Sequence, residues 1–277
     1  MRNFIRSIFS VFVLVMIIDE AKAQSFTGIA TYKTSGSIQI SMDSTEMPPE
    51  QMKKIQDEFK RKMQKEYTLS FNTTESSWKQ VESLNGGPAQ VSGNGIEIMV
   101  AGNSAQEVLY KNLLKHEYER GEDLMGKRFI VKDSLKEYSW ELTNETKKIG
   151  KYNCQKAIST RIVEAKKFST GMKEMEITQD TIKTEVWFTP DIPVSHGPMQ
   201  YVGLPGLILE VKTGSSVIIC SKVILNPTEP VKIDKPTKGE IVNATEYKAI
   251  SDKKLEEMMK RYNGGDGENV IEIRTSG

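Results

Sequence analysis

The sequence predicts a mainly β (α+β) protein built on a curved antiparallel sheet with two or so helices. Two observations carry this. Short runs of alternating, β-branched or aromatic residues recur along most of the chain, each bounded closely by Gly, Pro or Asp, the pattern of strands joined by tight turns. Only two segments instead space their apolar residues three and four apart, as a helix does.

Taken in order, residues 1–23 read as an address. Arg2 and Arg6 give a positive start, Ile8–Ile18 is apolar except for Ser10, and Ala21-Lys22-Ala23 puts small residues where a signal peptidase reads them. Cleavage is expected before Gln24. The apolar run is well short of the ~20 residues that a membrane span needs, so an exported protein that does not span the membrane is expected. Residues 24–277 then form a single β-rich domain, with 226–277 an extension containing a helix.

Within that domain, strands are expected over Thr27–Tyr32, Tyr67–Phe71, Tyr152–Ile162, Glu185–Thr189, Leu207–Lys212 and Val217–Leu225. In the third, Tyr152, Cys154, Ile158 and Ile162 share one parity, and strict alternation would aim Lys156 inward with them, towards Glu210 or Asp191; a bulge or an edge position would turn it out. Gly150 and Gly214-Ser215 mark hairpin turns. Met52, Ile55, Phe59 and Met63 define one amphipathic helix. Leu255, Met258, Met259 and Tyr262 define the other, with Ser251 as its cap and Gly264-Gly265 as its stop. Residues 86–102 are a Gly-rich excursion, and Pro227, Pro230 and Pro236 mark an extended connection.

Charge narrows the function. With 38 Lys+Arg against 37 Asp+Glu, the chain has no basic field for nucleic acid. Removing residues 1–23 takes away Arg2, Arg6 and Lys22 with Asp19 and Glu20, and leaves the balance at zero. A partner must then be held by shape and apolar contact. Two histidines, His116 and His196, and the absence of H-E-x-x-H, C-x-x-C and G-x-S-x-G patterns give no catalytic, metal or cofactor site to expect. A metal held by Asp191, His196 and distant residues is the minor alternative. Cys154 and Cys220 are an even pair for an oxidising compartment, read either as one disulfide or as two separately buried thiols.

Four of the ten prolines stand at 190, 193, 198 and 205. Proline fixes φ and removes a donor, so this stretch cannot be a central strand. It reads as a rigid arch from the strand of Trp187 to that of Leu207, with Pro205-Gly206 at the centre of a type II turn. Gly203-Leu204-Pro205-Gly206-Leu207-Ile208 resembles the name motif of the GLPGLI family, exported proteins of Bacteroidetes-type bacteria. Trp140-Glu141-Leu142-Thr143, Tyr152-Asn153-Cys154-Gln155-Lys156-Ala157 and Trp187-Phe188-Thr189-Pro190-Asp191-Ile192-Pro193 extend the likeness over about 107–221. The resemblance implies a Gram-negative envelope location, in the periplasm or at the outer membrane, and no activity to carry over. The many-stranded pattern also looks like a LolA-type half-barrel, an analogy of architecture.

Trp140, Trp187, Phe188 and Tyr201 cluster around these motifs. Core packing explains large rings in a β protein. In a half-barrel, Trp140, Trp187, Tyr201 and Leu204 would instead line the mouth, with the Met52 helix as a lid. The expected function is therefore non-catalytic binding of a lipid or other apolar or amphipathic small molecule on the sheet. The alternative is recognition of an outer-membrane partner through an edge strand or the C-terminal helix, and an enzyme of unknown class comes third. Asp43-Ser44-Thr45, Asp133-Ser134-Leu135 and Asp180-Thr181-Ile182 fit an O-glycosylation pattern associated with Bacteroidetes, although Asp-Ser and Asp-Thr are also common turn pairs.

Overall fold

The structure is a computed structural model, and it describes residues 26–35, 50, 53, 57, 64–81, 90–93, 96–99, 108–167 and 176–262. Its strands are β1 (Gly28–Ser35), β2 (Glu66–Phe71), β3 (Glu75–Gln80), β4 (Gln90–Gly93), β5 (Ile96–Met99), β6 (Leu109–Asn112) and β7 (Glu117–Leu124). Then follow β8 (Lys127–Ser134), β9 (Glu141–Ile149), β10 (Tyr152–Lys167), β11 (Glu176–Thr189), β12 (Leu207–Thr213), β13 (Ser216–Leu225) and β14 (Glu240–Val242). Twelve strands form one open sheet in the order β14-β8-β7-β6-β3-β2-β1-β13-β12-β11-β10-β9, and β4 with β5 forms a separate pair inside the Gly-rich excursion. Every pairing is antiparallel except β14 with β8. The fold is mainly β, as expected.

The six expected strands are all present, and the turns at Gly150 and Gly214 have the positive φ (58° and 56°) that makes Gly suitable there. One face of the sheet carries the core. Ala30 and Tyr32 of β1, Leu69 and Phe71 of β2, Val186 and Phe188 of β11 and Leu209 and Val211 of β12 are all buried. Tyr32 meets Trp78 edge-on at 5.3 Å, and Tyr67 stacks on the same indole at 4.7 Å.

Three register shifts interrupt the ladders. That of β9 with β10, between Gln155 and Ala157, is of two residues and keeps each side chain on its face. Ala157 and Ser159 are buried, while Lys156, opposite Trp187, alternates to the other face. It pairs with Glu145 at 3.0 Å and Glu185 at 3.5 Å, so neither Glu210 nor Asp191 is its partner. The other two shifts lie between Trp187 and Phe188 and between Thr31 and Tyr32.

Other expectations are corrected. Cys154 and Cys220 stand as free thiols on β10 and β13, strands separated in the sheet by β11 and β12; the expected bond is not formed. Among the described residues one helix has its bounds defined, α1 (Ala244–Tyr262), and Glu50, Lys53 and Asp57 of the expected Met52 helix are also helical. Helix α1 begins seven residues before Ser251, because Asn243 and Glu246 form a reciprocal capping box. Glu246 N–H donates to Asn243 Oδ1 at 2.8 Å, and Asn243 N–H to Glu246 Oε2 at 2.9 Å. Tyr247 then packs edge-on against Phe129 of β8 at 5.6 Å. The Met52 helix lies outside the described residues except for positions 50, 53 and 57, and the Gly264-Gly265 stop lies outside them entirely.

The arch joins β11 to β12 as expected, but its turn chemistry differs. Positive φ belongs to Gly203 (94°), and Gly206 is absent from that region. Gly206 is needed for proximity: a Cβ there would stand 2.2 Å from the Thr189 carbonyl oxygen. Since that obstacle is backbone, Gly206→Ala should lower stability by about 3 kcal/mol or more. Gly150→Ala, strained in φ with nothing within 4 Å, should cost about 1 kcal/mol. Urea unfolding followed by tryptophan fluorescence checks the pair, and equal losses would contradict the close approach.

Candidate functional site

The arch is not a loop hanging in solvent. Ile192, Val194, His196, Gly197, Pro198, Val202 and Leu204 are buried, so the segment fills the core face of the sheet. Its backbone is tied at several points. Leu207 N–H donates to the Ile192 carbonyl at 2.9 Å and Ile208 N–H to the His196 carbonyl at 3.0 Å. From the sheet, Tyr32 Oη donates to the Ile208 carbonyl at 2.7 Å.

The deepest tie is Lys111 of β6. Its side chain is fully buried, and Nζ donates to the carbonyls of Gly197 and Met199, both at 2.7 Å. Such a cation is held by backbone dipoles rather than by a carboxylate, and burial pulls its pKa down to about 7. His196 is also fully buried, and neither ring nitrogen has a hydrogen-bond partner. Burial, with the nearby Lys111 charge second, lowers its pKa to about 3, the Asn72 backbone opposing. At neutral pH His196 is therefore an uncharged core ring beside Phe71, with centroids 6.3 Å apart. Nothing in the sequence singled out Lys111: its β6 run is short, and a lysine beside Tyr110 and Asn112 reads as surface.

Of the four residues expected to line a mouth, the structure brings two together. Trp140 and Tyr201 lie 6.5 Å apart with Tyr138 between them, stacked on Trp140 at 5.1 Å and tilted against Tyr201 at 5.3 Å. Trp140 Nε1 donates to the Val202 carbonyl at 2.9 Å, just before the positive-φ Gly203. Tyr201 Oη meets Thr213 Oγ1 at 3.3 Å, and that hydroxyl donates to Thr184. Tyr138 and Trp140 are only half-buried. Leu204 is buried in the core cluster behind them, and does not line a surface.

Trp187 lies on the opposite face of the sheet. Along β11, Thr184, Val186 and Phe188 are buried on the core face, so strand alternation turns Trp187 away from them. It lies under a charged lattice: Lys147 Nζ is 4.3 Å above its ring and 2.6 Å from Glu210, and Lys156 Nζ is 5.9 Å away. The register shift beside it places the extra residue, Leu209, on β12 and leaves the alternation of β11 intact.

A further residue belongs with the aromatic group. β10 and β11 stay paired out to Lys167 and Glu176, whereas β12 stops pairing with β11 at Thr184/Thr213 and β9 stops at Ile158. Arg161, opposite Ile182, stands on this overhang with its guanidinium 5.7 Å from the Tyr138 ring centre. Its Nε and Nη1 are buried without a hydrogen-bond partner. Lys136 lies close enough that its pKa is lowered by burial and by Arg161.

The remaining candidates are placed as follows. His116 is exposed at 3.7 Å from Glu137, and Asp191 accepts the Asn153 N–H at 3.2 Å. Among the described residues no group of three His, Cys, Asp or Glu side chains is arranged to hold a metal ion, and no helix is long and apolar enough to cross a membrane. Ser134 and Thr181 are exposed, whereas Ser44 lies outside the described residues. Asp133 already has structural partners, accepting the N–H groups of Ser134 at 2.7 Å and Ala244 at 3.0 Å.

The buried pair and the thiols each give a measurable signature. Lys111 holds its proton more weakly folded than unfolded, so the unfolded state carries the extra proton between about pH 7 and 10.5, and stability rises with pH across that window. His196 adds a rise between about pH 3 and 6.5 by the same reasoning. Lys111→Met should flatten the upper rise relative to the parent protein while leaving the lower one, as read by urea unfolding at a series of pH values. Burial pushes both cysteine thiols up to about 11. Alkylation at neutral pH should therefore be about a hundredfold slower in the folded protein than after unfolding. Two equivalents should label in denaturant without reductant, as mass spectrometry reads directly.

No curated protein matches the chain. Two solved structures of PNGF-II, in the C2 and P21 space groups, are similar to it, each with a TM-score of 0.47 at 18% identity. The match covers 82% of this chain and 33% of theirs, so it spans about a third of their length. Residues 140–210, from Trp140 through the whole arch to Glu210, match the family model described as "Protein of unknown function (Porph_ging)".

Proposed function

We propose that this is an exported envelope protein that binds an apolar or amphipathic small molecule such as a lipid, without chemically converting it. The docking face is the aromatic group Tyr138, Trp140 and Tyr201 beside the arch. One observation carries the reading: three rings lie within 6.5 Å of one another, two of them half-buried, on a base fixed by the Trp140–Val202 and Tyr201–Thr213 hydrogen bonds. Rings held in this way offer apolar area at little cost in side-chain entropy. The near-neutral charge agrees with capture by apolar contact.

Export is supported by the charged start, the apolar run and the Ala21-Lys22-Ala23 site. Membership of the GLPGLI family rests on the hexapeptide at 203–208, and with it a Bacteroidetes-type source and a place in the periplasm or at the outer membrane. A half-barrel reading of the sheet is supported by the concentration of core residues on one face of β1, β2, β11 and β12. Trp187 and Leu204 are left out of the binding face.

A second reading, strand addition by an outer-membrane partner, is favoured by β9. It is the last strand of the open sheet and largely exposed, with Glu141 and Glu145 towards one end and Lys147 and Lys148 towards the other. An extended partner segment that is acidic towards its N-terminus and basic towards its C-terminus would match it antiparallel. Photocrosslinking from residue 144 in native envelopes tests this, and a failure to yield one defined outer-membrane product counts against it.

For the leading reading, titration with dodecyl maltoside below its micelle concentration should change the tryptophan fluorescence saturably. The change should vanish in Trp140→Phe and persist in Trp187→Phe, and Tyr201→Ala should weaken binding about fivefold. No saturable change in the parent protein would refute the proposed face.

A further inference from the structure

The other face of the sheet shows how this protein treats its cations. Lys147 lies 2.6 Å from Glu210, Lys156 3.0 Å from Glu145, and Lys183 3.0 Å from Glu185. Even the buried Lys111 has two carbonyl acceptors. Arg161 breaks the pattern. Among the described residues no carboxylate pairs with it, and its Nε and Nη1 are shut from solvent with nothing to accept their protons. An arginine stays charged at any ordinary pH. Shielded donors on a cation are costly when unpaired, so the guanidinium is prepared for an acceptor that arrives from outside the chain.

The surroundings say what kind of acceptor that is. Lys136 adds a second positive charge beside Arg161, its pKa lowered by burial and by that neighbour. Two cations held close together without an acidic side chain repel each other, and a bound anion relieves both. Access has a physical route. Lys136 and Tyr138, whose ring covers the guanidinium, lie on residues 135–140, a segment with no strand ladder. Two hydrogen bonds tie it, Leu135 N–H to the His116 carbonyl at 2.9 Å and Trp140 Nε1 to the Val202 carbonyl at 2.9 Å, one at each end. Access requires the middle of the segment, where Glu137 stands 3.7 Å from His116, to lift while both ends stay fixed.

We propose that the guanidinium of Arg161, with the Lys136 ammonium beside it, receives the oxyanion headgroup, carboxylate or phosphate, of the amphiphile that docks on Tyr138, Trp140 and Tyr201. This rests on the binding face proposed above and names its ligand class. The planar fork of Arg161 suits two oxygens of one headgroup, and Lys136 supplies a point charge.

The test compares ligands with one chain length and different heads, read by Trp140 fluorescence: dodecyl phosphate, dodecanoate, dodecyl maltoside and dodecyltrimethylammonium, with inorganic phosphate as a chainless control. The two anionic ligands should bind about tenfold or more tighter than dodecyl maltoside, and the ammonium ligand the most weakly. In Arg161→Gln that preference for anionic over neutral ligand should fall to about unity. Lys136→Gln, at a side chain outside the core, should reduce it about threefold. If dodecyl maltoside binds and the anionic ligands bind no tighter, the headgroup assignment is overturned while the binding face stands. If no ligand binds, both fall. If inorganic phosphate binds as tightly as dodecyl phosphate, the site takes a free anion and the amphiphile assignment is wrong.

Discussion

At Gly206 the chain runs so close to the end of β11 that a side chain has no room: a Cβ would lie 2.2 Å from the Thr189 carbonyl oxygen. That crossing lets residues 190–206 leave β11, fold back over the core face of the sheet and re-enter it as β12. Once the arch is folded back, its carbonyls must find donors away from water, and the sheet supplies them. Lys111 donates to Gly197 and Met199, and at the foot of the arch Tyr32 donates to Ile208 of β12. The lysine in the core is thus a consequence of covering a β-sheet with irregular backbone, since unpaired buried carbonyls would be more costly than a buried donor. The aromatic group depends on the same crossing, because Tyr201 and the carbonyl that holds Trp140 both belong to the arch.

The two faces of the sheet handle charge differently. The outer face carries a lattice in which Lys147, Lys156 and Lys183 each meet a glutamate, with Trp187 beneath two of them. Exposed pairs of this kind contribute little each, but they satisfy one another and leave no field at long range, in keeping with the neutral composition. On the core face, among the described residues, neither Lys111 nor Arg161 meets a glutamate, and Arg161 lacks even the carbonyl acceptors that Lys111 has. Arg161 lies where the β10–β11 ribbon outruns β12, next to the aromatic group. The placement of Arg161 gives an apolar docking face a polar end.

How much of this was legible depends on the pattern each strand carries. β1, β2, β10, β12 and β13 announce themselves by alternation or β-branched runs, and the Gly150 and Gly214 turns by glycine. β7 (EYERGEDL) and β9 (ELTNETKKI) do not, since charged residues fill positions that a half-buried strand would give to apolar ones. β9 can be polar on both faces because it lies at the sheet edge, and a sequence does not say which strand is last. Ser251 was a plausible cap, but Asn243 and Glu246 cap the helix more than two turns earlier. In the Gly203–Ile208 motif, glycine was rightly read as a backbone requirement. Its cause was exchanged: positive φ sits at Gly203 and the close approach at Gly206.

The sequence by itself determined the fold class, the positions of the main strands, the proline arch and the absence of a net field, because these follow from local periodicity, φ restriction and charge counting. Only the tertiary structure decided which side chains share a face. Lys156 and Trp187 stand opposite each other and alternate away from buried Ala157, Val186 and Phe188, so Trp187 is separated from Trp140 and Tyr201 by the thickness of the sheet. A period-two pattern separates the two faces of a strand but does not say which of them the arch covers. Cys154 and Cys220 could be counted from the sequence, whereas their standing as free thiols could not. Arg161 and Lys111, one at the candidate site and one beneath it, came to light only when distant strands were laid side by side.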